Sequence, residues 1–175
     1  MKKVEHGKTF DRNAANPPAF EIFHNTVTEG YPKHWHTAIE IIMPTRGEYE
    51  VVVGKDSYNL KEGDIIMINS GVVHGMRFVS QGERIVMLVE PGCVENQEEM
   101  ETIFLRLPAI YFKKEDEEDP FYLFLRSQIL ELVREYDNEG AVMTHRICTG
   151  LKELFSEFGR KGFSDANAQN TFGAM

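Results

Sequence analysis

The sequence is poor in several things at once. It has two cysteines and one tryptophan. No apolar run approaches the ~20 residues that a membrane-crossing helix needs, so no span is expected. The cysteines, Cys93 and Cys148, lie far apart and make no CxxC pair or secreted disulfide spacing. That excludes a disulfide scaffold and points to a reducing, cytoplasmic setting. The polar stretch from Met1 to Pro18 offers no apolar segment long enough for a signal peptide. Positive charge is also short: 19 Lys and Arg stand against 28 Asp and Glu, a formal net charge of −9. Such a surface repels phosphate backbones, and no basic stripe is present. This chain alone is not expected to bind nucleic acid. The longest charge run, Glu115 to Asp119, is acidic and reads as a solvated loop.

What is there suits a folded domain. A hydrophobic content of 42% over 175 residues is enough for one core with an appendage. From Phe20 to about Glu90 the texture is β. Short runs rich in Val, Ile, Tyr and Thr are punctuated by Gly, Asn and Pro. Strands are expected over Glu48–Val53, Ser57–Leu60, Asp64–Ile68, Met76–Val79 and Arg84–Glu90. Turns are expected at 54–57, 61–63 and 69–71. This spacing predicts an all-β sandwich or barrel, without the βαβ rhythm of a parallel sheet.

After Pro91 the texture turns helical. Val94–Leu105 reads as a short helix. Asp119-Pro120 is a helix start, with Asp as N-cap and Pro at the first helical position. Apolar residues follow at three- and four-residue steps to Tyr136. A second helix carries Thr144, Ile147, Leu151, Leu154 and Phe158, a narrow seam of the kind that pairs helices. The expected organisation is an N-terminal arm (1–19), a β-barrel (20–92), a helical dimerisation appendage (93–162) and a frayed tail (163–175).

The chemistry sits in one segment, which includes Gly30, His34, His36, Glu40 and Gly47. Residues 34, 36 and 40 share parity, so on a strand their side chains point the same way. A second segment, Gly63 to His74, ends a strand at Asn69-Ser70-Gly71 and delivers His74 beside the first. An isolated HxH on a strand carries little information. Here three of the six histidines fall in two blocks with matched Gly punctuation, and polar groups facing a barrel interior need partners. Neutral imidazoles and a carboxylate suit Zn, Fe, Mn, Ni or Cu. Four protein ligands leave one or two positions for water, oxygen or a chelating ligand.

At these residues the sequence resembles the cupin superfamily. His34, His36, Glu40 and Gly47 match its first motif, with Gly30 closer to the first histidine than is usual. Gly63, Gly71 and His74 match the second, with Asn69 in place of a proline and Phe78 in place of the final Asn. The resemblance implies a double-stranded β-helix, or jelly-roll, barrel followed by C-terminal α-helices. It also implies a divalent transition metal on His34, His36, Glu40 and His74. The run HWHTAIEIIMPTRGEYEVVVGKDSYNLKEGDIIMINSGVVHGM is further similar to the N-terminal sensor domain of AraC-type transcription regulators. That implies a small-molecule ligand, often a sugar, and a homodimer built through two helices, in a chain without the helix-turn-helix module. The alternative is a stand-alone metal-dependent cupin enzyme: an isomerase, dioxygenase or decarboxylase on a small oxygenated substrate, with Glu40 as base if no metal holds it. A purely structural or seed-storage-like cupin is the least favoured reading.

Other residues are weighed against plainer roles. Trp35, opposite in parity to the histidine pair, is expected to pack in a core or interface. The stretch from Trp35 to Met43 is apolar on both faces and needs cover on its outer one. His24, on the first strand, is a candidate for the ligand pocket. His6 and His145 read as surface groups, Arg46 and Arg77 as solvated, and Met43, Met67, Met76 and Met87 as core fillers.

Overall fold

A computed structural model of the chain describes residues 19–26, 30–93, 108–114, 118–138 and 140–161. The expected helix at Val94–Leu105, the arm before Ala19 and the tail after Gly162 lie outside these residues.

Among the described residues, nine strands form two antiparallel sheets. In chain order they are β1 (Phe20–Asn25), β2 (Tyr31–His34), β3 (Ile39–Arg46), β4 (Tyr49–Val53), β5 (Asp56–Leu60), β6 (Ile65–Ile68), β7 (His74–Phe78), β8 (Glu83–Val89) and β9 (Ala109–Phe112). One sheet has the order β1-β8-β3-β6-β9 and the other β2-β7-β4-β5. Helices α1 (Pro120–Asp137) and α2 (Met143–Lys161) follow. The β-rich first part and helical second part are as the texture implies. No helix among the described residues is long and apolar enough to cross a membrane.

Local chemistry explains the boundaries. Gly54 opens the two-residue link between β4 and β5 with φ 59°, a left-handed conformation that glycine adopts without strain. Asp119 caps α1, its Oδ1 accepting from the Phe121 amide at 2.9 Å, with Pro120 at the first helical position. Asp64, at the start of β6, is a buried anchor. Its carboxylate accepts from the Lys61 amide, the Tyr111 hydroxyl and the Lys114 amide at 2.9, 2.6 and 2.8 Å. Tyr122 of α1 donates to the Gly63 carbonyl at 2.8 Å, tying the first helix to the same corner.

Strand β3 divides two cores. Its odd residues Ile39, Ile41 and Met43 join Met67, Ile85 and Met87 on the outer face of the five-stranded sheet. Helix residues Tyr122, Leu125, Ile129, Leu132, Ile147, Leu151 and Leu154 cover them. Its even residues Glu40 and Ile42 face the space between the sheets. There Ile42, Val51, Ile66, Ile68 and Met76 form a second apolar cluster. Alternating side chains on a strand buried from both sides produce this division.

Three differences from the sequence reading stand out. The seam Ile147, Leu151 and Leu154 is buried within its own chain, against the barrel and α1. Thr144 is exposed, and the side chain of Phe158 is outside the described set. Trp35 is 53% exposed and belongs to none of the three apolar clusters, because β2 ends at His34 and Trp35 lies in the link to β3. Strand β9 comes from within the 93–162 segment and pairs with β6, from Ile65↔Phe112 to Ile68↔Ala109, completing the larger sheet.

Candidate functional site

The quartet is assembled from three strands and the link between two of them. His34 ends β2, and His74 opens β7 directly across from it in the smaller sheet. Glu40 stands on β3 in the larger sheet. His36 sits in the link that carries the chain from one sheet to the other. The Gly71 amide donates to the His36 carbonyl at 2.9 Å, with Gly71 at φ 73°, so the turn before β7 holds that link in place. Beside His74, Gly75 is needed for space. A Cβ there would lie 3.1 Å from the Lys33 amide nitrogen and 3.2 Å from the Tyr31 carbonyl, so β2 can approach β7 closely.

The four candidate ligand atoms lie within 4.8 Å of one another. His36, Glu40 and His74 are buried, while His34 is exposed and faces the solvent end. The three imidazole centroids are 4.5, 4.9 and 5.6 Å apart.

Hydrogen bonds fix the rings. His34 Nδ1 lies 2.9 Å from the Pro32 carbonyl, His36 Nδ1 3.0 Å from that of Ala38, and His74 Nδ1 2.8 Å from that of Val72. A carbonyl oxygen only accepts, so each Nδ1 carries a proton and donates it. In a neutral ring Nε2 is then left with its lone pair. Orienting Nδ1–H bonds of this kind are the usual support of a metal-binding histidine.

Glu40 Oε2 meets His36 Nε2 at 3.0 Å and His74 Nε2 at 2.8 Å. A carboxylate also accepts only. Without a cation, each contact requires a second proton on the ring. A divalent ion satisfies the same atoms using two lone pairs and the carboxylate together. Metal–ligand bonds of ~2.1 Å put neighbouring ligand atoms about 3 Å apart and opposite ones about 4 Å apart. The observed cluster fits that size. The residues present therefore suit a transition metal in donor type, ring orientation and spacing.

The electrostatics follow from the contacts. Burial alone would raise the Glu40 carboxyl, but the hydrogen bonds and charges of His36 and His74 outweigh it and hold Glu40 well below the usual carboxylate range. Burial likewise opposes charge on His74, but the bond to Glu40, the Glu40 charge and the Val72 carbonyl outweigh it and raise the imidazole above its ordinary value.

His24 is placed elsewhere. On β1 it pairs with Ile85 and shares the outward face of Ile22, its Nε2 3.8 Å from a Glu83 carboxylate oxygen. The structure does not bring it to the quartet. Arg46 and Arg77 contact Glu83 and Glu50 at 3.1 and 3.8 Å on the surface. The four methionines named above are buried, and His145 is exposed.

One inward-facing residue escapes a sequence reading. Arg84 on β8 is fully buried, its guanidinium 4.8 Å from the Tyr49 ring centroid and 5.6 Å from that of Tyr31. Its partner in register, Asn25, donates from Nδ2 to the Tyr31 hydroxyl at 3.1 Å. Only strand parity, placing Arg84 with Val86 and Leu88 against Met87, could have signalled it.

A Cupin domain family model matches residues 25–90, a span that holds all four members of the quartet. No curated protein matches the sequence. Among solved structures, an apo variant of ToxT from Vibrio cholerae aligns with a TM-score of 0.53 at 12% identity, over 83% of this chain and 58% of that one. ToxT from the same source with an unsaturated fatty acid bound gives 0.51 at 13% identity, over 87% of this chain and 57% of that one. A variant of oxalate decarboxylase from Bacillus subtilis gives only 0.37 at 19% identity, over 41% of this chain and 21% of that one. The chain thus spans less than two thirds of each of these proteins, and at such identities the ToxT likeness speaks for the fold. Sequence match and architecture agree: residues 25–90 match the Cupin domain model, and the same span supplies most of the two antiparallel sheets described above.

Proposed function

We propose that this chain is a small-molecule-sensing cupin unit, similar to the regulatory domain of AraC-type regulators, with a divalent metal held by His34, His36, Glu40 and His74. The observation that carries the reading is the union of two parts. A quartet with oriented rings, three of its members buried, sits between the sheets, and two helices pack on the outside of the sheet that contributes Glu40. The ToxT likeness supports it, because the alignment extends over 83% of the chain and so past the cupin match into the remaining elements.

When bound, the metal supplies an open coordination position for an oxygen-bearing ligand. The chain's own residues do the rest. The carbonyls of Pro32, Ala38 and Val72 hold the rings in one tautomer, and exposed His34 leaves the site reachable from solvent. The ligand classes to test first are sugars, from the sensor resemblance, and fatty acids, from the ToxT structure that holds one. Thermal shift and calorimetry on metal-loaded protein test the proposal. Saturable binding of one class, lost in His74→Ala, is the expected result. No binding from either panel, with turnover of a cupin-type substrate instead, would overturn it.

The second reading, a stand-alone metallo-cupin enzyme, draws on the completeness of the quartet. Glu40 is a poor general base in it, since a carboxyl held below its usual range gives up its proton readily but takes one back reluctantly. A homodimer remains part of the proposal, on a different surface from the expected seam. With Ile147, Leu151 and Leu154 buried in their own chain, the large apolar groups left outside on α1 are Leu123 and Leu130.

A further inference from the structure

Cys93 and Cys148 look unrelated in the sequence, yet the fold brings them together. Cys93 closes the short 3₁₀ turn Pro91–Cys93 that follows β8, and Cys148 lies on α2, which packs against that turn. The two thiols are neighbours, and Cys148 is among the groups that act on the Cys93 thiol. Cys93 Sγ also donates to the Ala19 carbonyl at 3.1 Å, next to the start of β1. Both are free and partly exposed, so a small oxidant can reach them. Neighbouring thiols on two packed elements can join as a disulfide once the sulfurs approach to about 2.05 Å.

We propose that Cys93 and Cys148 form a reversible intramolecular disulfide on exposure to hydroperoxides, fastening α2 to the end of the barrel. The step balances within the pair and the oxidant. Cys148, as thiolate, attacks one peroxide oxygen. The O–O bond breaks, hydroxide leaves and takes up the proton that the Cys148 thiol had released to become water, and Cys148 becomes a sulfenic acid. The Cys93 sulfur then attacks the Cys148 sulfur. The S–O bond breaks, the S–S bond forms, and the departing hydroxide takes the Cys93 proton as a second water. Two thiols lose two electrons and two protons, and hydrogen peroxide is reduced to two waters.

The order of attack follows from the surroundings. Burial, then the neighbouring Cys148, pushes the Cys93 thiol up to about 11. It therefore carries little thiolate at neutral pH and takes the second, resolving role. The link joins residues far apart in sequence, so it restricts the unfolded chain strongly and is expected to stabilise the union of barrel and helices.

Treating the reduced full chain with hydrogen peroxide, then digesting it without reductant, tests this by mass spectrometry. The expected product is a monomer with one peptide pair joined through Cys93 and Cys148, reversed by dithiothreitol. Its melting temperature should be higher by about 5 °C or more. In Cys93→Ser, a sulfenic-acid probe should label Cys148. Separate over-oxidation of the two cysteines, or linkage only between chains, in protein that circular dichroism shows to be folded, would overturn the proposal.

Discussion

Glu40 and His74, 34 residues apart in sequence, share a 2.8 Å hydrogen bond that spans the two sheets of the barrel. One side chain comes from β3 and the other from β7, and no backbone ladder joins those strands. The bond is thus a polar cross-link between the two sheets, and the chemistry of the site depends on what shares that carboxylate.

The first expectation is metal uptake. Protein stripped with chelator and dialysed against Zn, Fe, Mn, Ni or Cu should take up about one ion per chain, measured by elemental analysis. His36→Ala and His74→Ala should each weaken binding by on the order of 10- to 100-fold or more, since each removes an oriented ligand. Equal affinity in wild type and both variants would show that the ion binds elsewhere.

The second concerns pH. In chelated protein, Glu40 is depressed below its ordinary 4.5 and His74 is raised above its ordinary 6.5. The Glu40 contribution is present above pH 4.5 and is lost as pH falls through its lower folded value. The His74 contribution is fully present below pH 6.5 and is lost as pH rises through its higher folded value. Chelated protein should therefore lose stability as pH rises above 6.5 and through the higher folded value of His74. Metal-loaded protein should show the opposite trend, because the ion takes the place of protons at Nε2. Urea midpoints with and without chelator measure this, and identical slopes would rule out proton–metal exchange at the quartet.

The third concerns the buried anchor. Asp64→Ala removes the acceptors of the Lys61 and Lys114 amides, while the Tyr111 hydroxyl keeps the Asn59 carbonyl. Leaving such donors unmet should destabilise the protein by about 2–4 kcal/mol. Equilibrium unfolding in urea reads the loss directly. A change under about 0.5 kcal/mol, typical of plain surface sites, would contradict the role assigned to it.

The fourth separates packing from association. Leu151→Ala opens a cavity beneath the helices and should cost about 2–5 kcal/mol without changing the assembly. Leu123→Asp with Leu130→Asp should leave the stability of the monomer nearly unchanged and reduce the mass by half in light scattering. A wild-type monomer at micromolar concentration would refute the dimer.

Much of this was legible in the sequence, though sometimes for the wrong geometric reason. Parity put His34, His36 and Glu40 on one strand face. They do converge, but across a crossover between sheets, and no Gly or Pro from Trp35 to Ile39 marks that break. The same break leaves Trp35 in solvent instead of in a core. The 3–4 spacing of α2 showed that a face must be buried, but spacing does not say whose surface covers it. Strand β9 is only four residues long and pairs with a strand far back in the chain, so no local pattern announces it. In the sequence Arg84 reads only as the start of a strand, with no role of its own. Only the register against Asn25 and Pro44 reveals that it faces inward.

Strand β3 is a partition one residue thick. Glu40 projects into the site while its chain neighbours Ile39 and Ile41 are wedged into the core beneath α1 and α2. Peptide geometry makes these opposed side chains a single rigid piece. A ligand that draws the carboxylate inward therefore draws on the seat of the helices with it. The shortest mechanical route from the barrel interior to the outer helical layer is a covalent one, through the backbone between one residue and the next.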